Sequence, residues 1–170
     1  MEEVIPQTVA PSERLEAVAA HPLAELLECP ASAGNLLNGA AESLQFDAGE
    51  MVFRQHETCK GLYVVVSGLF VRKAERLNSR LTLGSARAGD LVELAAALGD
   101  ERHTYSLSAQ TPGVVLMLPI GALRQVFEAY PPLRMKLLEE LAREVSRAYI
   151  SCCLNREVLK RRRISDEEPA

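Results

Sequence analysis

The sequence predicts a mainly β fold with flanking helices, a double-stranded β-helix of the jelly-roll or β-roll kind. N-terminal helices precede it and a long C-terminal dimerisation helix follows it. Three observations carry the prediction. From Leu44 onward, apolar residues alternate or cluster in runs of strand length. Gly49, Gly61, Gly68, Gly84 and Gly89 punctuate those runs at close intervals, the spacing of a sandwich, barrel or jelly roll. After Pro131-Pro132 the pattern turns helical and stays so almost to the end. The expected organisation is an N-terminal arm and helices over 1–40 and the β-roll over 41–120. A short helix plus the long helix fill 121–163, and a tail covers 164–170.

Taken in order, residues 1–11 carry Pro6 and Pro11 and read as a loose arm. Ser12 is an N-cap candidate for a helix bearing Leu15, Val18 and Ala19. A second short helix starts at Pro22, with Leu23, Leu26 and Leu27, and stops at Cys29-Pro30. Leu36-Leu37 adds a further apolar contact. Strands are expected around Leu44 and Phe46, at Val52, over Leu62, Val64 and Val66, at Leu69 and Val71, and at Leu81 and Leu83. Leu107, and then Val114, Val115, Met117 and Pro119, supply the last ones. A helix opens at Gly121, and the long helix runs from Leu133 to about Arg163.

In that last helix Leu138, Leu141, Val145, Ala148, Cys152 and Asn155 recur in three-four alternation, the seam of a coiled coil. A homodimer is therefore expected, with Asn155 fixing register and Cys152 near its symmetry mate. Lys160-Arg161-Arg162-Arg163 reads as a solvated helix end, because Asp166-Glu167-Glu168 follows at once.

Composition excludes several classes of function. The 170 residues are 48% hydrophobic and 25% charged, an ordinary globular balance, and the net charge of −4 recruits neither nucleic acid nor an anionic membrane. No apolar run approaches membrane-spanning length, and the start Met1-Glu2-Glu3 does not read as a signal peptide. Cys29, Cys59, Cys152 and Cys153 show no metal-ligand spacing, so no metal site is expected and a reducing, cytoplasmic setting is. His21, His56 and His103 fall in no nucleophile-base pattern, and no enzyme is expected.

The most informative stretch is Gly89 to Ala109. It leaves a strand pattern at Gly89, is helical and apolar from Glu93 to Leu98, breaks at Gly99-Asp100, and resumes a strand at Thr104. A short helix between strands offers N–H groups at its start, and with nearby hydroxyls and Arg102 they suggest an anion cradle.

These features together resemble the cyclic-nucleotide-binding domain, in particular the sensory half of bacterial Crp/Fnr-type regulators. The resemblance spans about residues 40–155. It is carried by Gly49-Glu50-Met51-Val52-Phe53-Arg54-Gln55, by Leu62-Tyr63-Val64-Val65-Val66-Ser67-Gly68-Leu69-Phe70-Val71, and by the Gly89-Asp90 step before a phosphate-binding cassette. It implies a regulatory module whose roll pocket takes a small anionic or nucleotide ligand, cyclic AMP or cyclic GMP in the family at large.

In cyclic-AMP binders of the family, a Gly-Glu pair presents a carboxylate to the ribose, and a later Arg-Ser or Arg-Thr holds the phosphate. Counted forward from Gly89-Asp90, Leu94 takes the glutamate place; counted back from Leu107, Tyr105-Ser106 takes the Arg-Ser place. A one-residue shift instead makes Glu93 the ribose carboxylate and puts His103-Thr104 at the Arg-Thr place. Val92 then replaces the glycine, and Arg102 stands one residue early. On the first count the phosphate loses its charge partner, the main affinity contribution in so small a ligand, and on the shifted count Arg102 would have to swing in to restore it. The candidate cassette is thus Glu93, Leu94, Arg102, His103, Thr104, Tyr105 and Ser106. A sensor with altered or lost nucleotide binding, a ligand-free dimerisation scaffold, and the effector part of a transcription regulator without its DNA-binding half are the functions left standing. Nothing in 170 residues supplies a reading helix after Arg163, so direct nucleic-acid binding is not expected.

Overall fold

The computed structural model describes residues 23–76 and 79–166. The helix expected from Ser12 lies outside them. Helices α1 (Leu23–Leu26) and α2 (Ala31–Ala40) lead into β1 (Glu42–Phe46), β2 (Met51–Phe53), β3 (Gly61–Ser67), β4 (Phe70–Arg76), β5 (Ser79–Ala86) and β6 (Leu91–Val92). A one-and-a-half-turn helix, α3 (Leu94–Leu98), precedes β7 (Ser106–Ala109) and β8 (Gly113–Pro119). Helices α4 (Ile120–Ala129) and α5 (Pro131–Asp166) close the chain.

The strands form two four-stranded antiparallel sheets, ordered β1-β8-β3-β6 and β2-β7-β4-β5. Strands close in sequence mostly alternate between the sheets, which is how the chain winds the β-roll expected from its glycine spacing. Phe53, Phe70, Leu107 and Ala109 from one sheet meet Tyr63, Val65, Val92, Val115 and Met117 from the other in a buried core. Burying such side chains is worth roughly 1.5–3 kcal/mol each.

The alternation read over Leu62, Val64 and Val66 captures only half of β3. Leu62, Tyr63, Val64 and Val65 are all buried. Tyr63 and Val65 belong to the core between the sheets, while α4 packs against β3 and β8 from outside, with α2 against α4. A strand covered on both faces loses its period-two signature.

Two glycines carry close backbone approaches. Gly68 has φ +88°, and a Cβ there would sit 2.7 Å from the Gly113 Cα; one on Gly113 would sit 2.5 Å from the Ser67 carbonyl oxygen. The β3–β4 turn and the start of β8 therefore touch backbone to backbone.

Pro131 and Pro132 occupy the first turn of α5, where a missing N–H costs nothing. The helix starts two residues before Leu133 and reaches Asp166. From Met135 onward it forms a compact unit of its own. None of the helices among the described residues is long and apolar enough to cross a membrane.

Candidate functional site

The cassette begins at a fixed turn. Gly89 has φ +90°, its N–H donates to the Val65 carbonyl at 2.9 Å, and the Arg87 N–H donates to Asp90 Oδ2 at 2.9 Å. The turn feeds β6, where Val92 pairs with Tyr63 and is fully buried.

Glu93 follows in the left-handed region, φ 71° and ψ 32°, at the head of α3. That conformation is strained for a glutamate and needs compensation from its surroundings. The compensation is visible. Thr104 donates its N–H to Glu93 Oε1 at 3.2 Å and its hydroxyl to the same oxygen at 3.4 Å. The Glu93 N–H donates to Tyr105 Oη at 3.2 Å. His103 Nδ1 lies 3.6 Å from Glu93 Oε1, and both side chains are at most 3% exposed. The chain's own acid therefore occupies the head of α3, in place of the open anion cradle expected there.

His103 is held from both directions. Its N–H donates to the Glu57 carbonyl at 2.9 Å and its carbonyl accepts from the His56 N–H at 2.8 Å. Its ring lies on Phe53, with centroids 3.8 Å apart and planes 4° apart, and the Tyr63 ring is 5.9 Å away. Cys59 is buried beside this group, its thiol donating to the Gly61 carbonyl at 3.1 Å. Burial is the main cause that pushes the Cys59 thiol up to about 11, with the charge of Glu93 adding to it. Burial likewise pushes the Tyr63 phenol upward.

The structure brings Glu93, His103 and Thr104 of the shifted count together with Tyr105 of the other count. Leu94 is 3% exposed, an apolar residue of α3 packed inward, and the Ser106 hydroxyl is engaged in accepting the Gln55 N–H at 2.9 Å. Arg102 does not join them. Its backbone is bridged to Thr58, its N–H donates to Asp100 Oδ1 at 3.2 Å, and its side chain is exposed. The His103 imidazole is buried and stacked on Phe53, and an imidazole cannot fork around a phosphate as guanidinium does.

Sequence reasoning missed Phe53, Tyr63 and Arg72. Phe53, Leu107, Arg72 and Gly84 form one cross-strand row through β2, β7, β4 and β5. Phe53 and Leu107 are buried in the core, so Arg72 belongs to the inward side of its sheet. Its guanidinium carbon lies 5.8 Å from the Tyr105 ring centroid. Spacing could have shown it: Phe70 and Arg72 are two apart in one strand and share a face. A separate open pocket of about 580 Å³ is lined by Gln45, Asp47, Glu50, Ser67, Pro112 and Val114, none of them cassette residues.

On α5, Leu138 and Leu141 are half-buried, while Val145, Ala148 and Cys152 are exposed; the side chain of Asn155 lies outside the described residues. Tyr149, Ile150 and Leu154 are exposed as well, so the apolar surface is broader than the seam read from the sequence. Cys59, Cys152 and Cys153 form no disulfide.

Comparison with known proteins agrees with the fold. The sensor domain of the transcriptional regulator DNR from Pseudomonas aeruginosa superposes with a TM-score of 0.64 at 19% identity, over 80% of this chain and 91% of that one. The Thermus thermophilus catabolite activator protein gives 0.67 at 22% identity, over 79% and 62%. The regulatory domain of Toxoplasma gondii PKA, solved with cAMP, gives 0.66 at 19%, over 78% and 51%. Among curated proteins, Lysophospholipase NTE1 of Eremothecium gossypii is 31% identical over 107 residues, 62% of this chain. The chain spans only 7% of that relative's length. Residues 43–130, more than half of the sequence and the whole roll with α4, match the cyclic nucleotide-binding domain family, and the chain belongs to it.

Proposed function

We propose that the chain is a regulatory module that couples a pocket in its β-roll to pairing of its long helix with a second copy, and that its cassette has lost tight binding of cyclic nucleotides. One observation carries the reading. The Glu93 carboxylate, at the position the shifted count gives the ribose acceptor, already accepts from Thr104 and lies 3.6 Å from His103 Nδ1 inside the protein. A nucleotide would have to break those contacts and leave a buried carboxylate to be re-satisfied, with no arginine at the His103 place to repay it.

Calorimetric titration with cyclic AMP and with cyclic GMP tests this. The expected result is no saturable heat at micromolar nucleotide. A saturable isotherm that Arg102→Ala abolishes would overturn the reading, because Arg102 would then swing in to serve as the clamp.

Val145, Tyr149, Ile150 and Leu154, each more than half exposed, support helix pairing. Light scattering should give twice the chain mass, and Leu141→Arg should give a monomer. A wild-type monomer at high concentration would remove the dimer from the account. A ligand-free scaffold is the competing function, and the closed cassette favours it as much as an altered ligand. The two part company at Arg72.

A further inference from the structure

Arg72 is a cation on the inward side of a strand whose neighbours there are core residues. It is paired across β7 with Leu107 and across β5 with Gly84. An added Cβ at Gly84, on the edge strand, would meet nothing within 4 Å. Nη1 donates to the Ser85 carbonyl at 3.2 Å, and the guanidinium lies over the Tyr105 ring. Nε is shielded from solvent and has no hydrogen-bond acceptor. Among the described residues no carboxylate pairs with Arg72, whereas Arg80, Arg124 and Arg143 each pair with a glutamate. A buried donor on a charged group without an acceptor is rare and calls for one.

We infer that Arg72 is the anion-binding residue of this roll, taking an oxyanion, carboxylate or phosphate, of a small ligand whose apolar body lies against Tyr105. Binding turns the shielded Nε edge outward, so that the oxyanion accepts from Nε and an adjoining terminal nitrogen, the side-on fork that guanidinium offers. The cation has thus moved from the cassette, where His103 stands, to β4. Tyr105 links the two places, since its ring carries Arg72 and its hydroxyl accepts the Glu93 N–H. An anion on Arg72 acts next to the head of α3 without entering the Glu93 cluster. The inference rests on the proposal of a regulatory roll with altered specificity and names the ligand class that the proposal leaves open.

The test is a ¹H–¹⁵N titration of the full chain that follows the Arg72 Nε–Hε signal, with benzoate, inorganic phosphate and neutral benzamide as probes. At least one of the anions should move that signal saturably at millimolar concentration, and benzamide should not. Saturation by benzoate alone assigns a carboxylate ligand; saturation by phosphate alone assigns a phosphate. Arg72→Gln should abolish the saturable shifts in the backbone amides of Tyr105 and Glu93, and Arg72→Lys, which keeps the charge but not the fork, should weaken them at least tenfold. Far-ultraviolet dichroism checks that both variants are folded. No saturable response to either anion, equal responses to benzoate and benzamide, or wild-type amide shifts in folded Arg72→Gln would each overturn the assignment. Cyclic AMP that binds the wild type but not Arg72→Gln would sink the reading of the cassette and keep the role of Arg72. Failure of the anions together with cyclic AMP would sink the role of Arg72 alone.

Discussion

Glu93 and Arg72 flank one aromatic group, and the protein treats the two charges differently. Phe53 lies 3.8–6.1 Å, centroid to centroid, from the rings of Tyr63, His103 and Tyr105, and Tyr63 and His103 are 5.9 Å apart. At the Glu93 end the carboxylate is 2% exposed, held in a left-handed turn by Thr104 and faced by an imidazole. At the Arg72 end the guanidinium has one backbone acceptor and an unpartnered Nε. At the first end the carboxylate already has internal donors that any ligand must displace, while His103 Nδ1 beside it makes no hydrogen bond. The second lacks a partner that a ligand can supply. The proposed loss of tight nucleotide binding rests on that contrast.

The comparison can be broken most severely at the residue both ends share. Leu107 is fully buried and sits between Phe53 and Arg72 in the cross-strand row. Leu107→Ala should cost about 2–5 kcal/mol in denaturant unfolding. A loss far smaller would mean that the two ends do not lean on a common core.

Next comes the closed end by itself. His103→Ala removes the ring stacked on Phe53 and leaves the Glu93 carboxylate buried beside a void, so about 3 kcal/mol of stability should go. An unchanged urea midpoint would show that the Glu93 cluster is not a structural latch.

The open end should respond far less. Arg72→Gln, measured without any added anion, should cost no more than about 1 kcal/mol, since a half-exposed cation–π contact and one hydrogen bond are all it gives up. A large loss there would make Arg72 a structural residue and erase the contrast.

The smallest effect concerns pH. The Cys59 thiol is raised from 9.0 to about 11 by burial, so the unfolded chain gives up this proton first. The stability it contributes is complete below pH 9 and falls as pH rises from there through about 11. Cys59→Ala should remove that part of the decline, seen as a flatter pH dependence of the unfolding free energy between pH 9 and 10.5. An identical slope in both proteins would contradict the burial.

Much of the fold was legible because glycines and apolar runs report turns and strands directly. The β-roll, the helix after Gly121 and the long helix stand where those signals place them. The two-sided burial of β3 was not legible, because apolar residues on both faces erase the alternation that identifies one. The cassette was legible only as two competing registers. Distinguishing them needed the left-handed turn at Glu93 and the reach of Thr104, which no spacing displays. Arg72 was missed because cassette reasoning looks along the chain, while Arg72 arrives from a neighbouring strand through the register of β4 with β7. On α5 the seam from Leu138 to Asn155 is a helical period, but Tyr149, Ile150 and Leu154 widen the exposed face beyond it.

One titration tests the central claim most directly: ¹H–¹⁵N spectra of the wild-type chain with cyclic AMP added to millimolar concentration, read at the amides of Glu93 and Thr104. These two N–H groups are hydrogen-bonded within the cassette, to Tyr105 and to the Glu93 carboxylate. The closed cassette predicts that both signals stay in place. Saturable movement of both, with a midpoint in the micromolar range, would show that the nucleotide displaces the internal partners and would contradict the account.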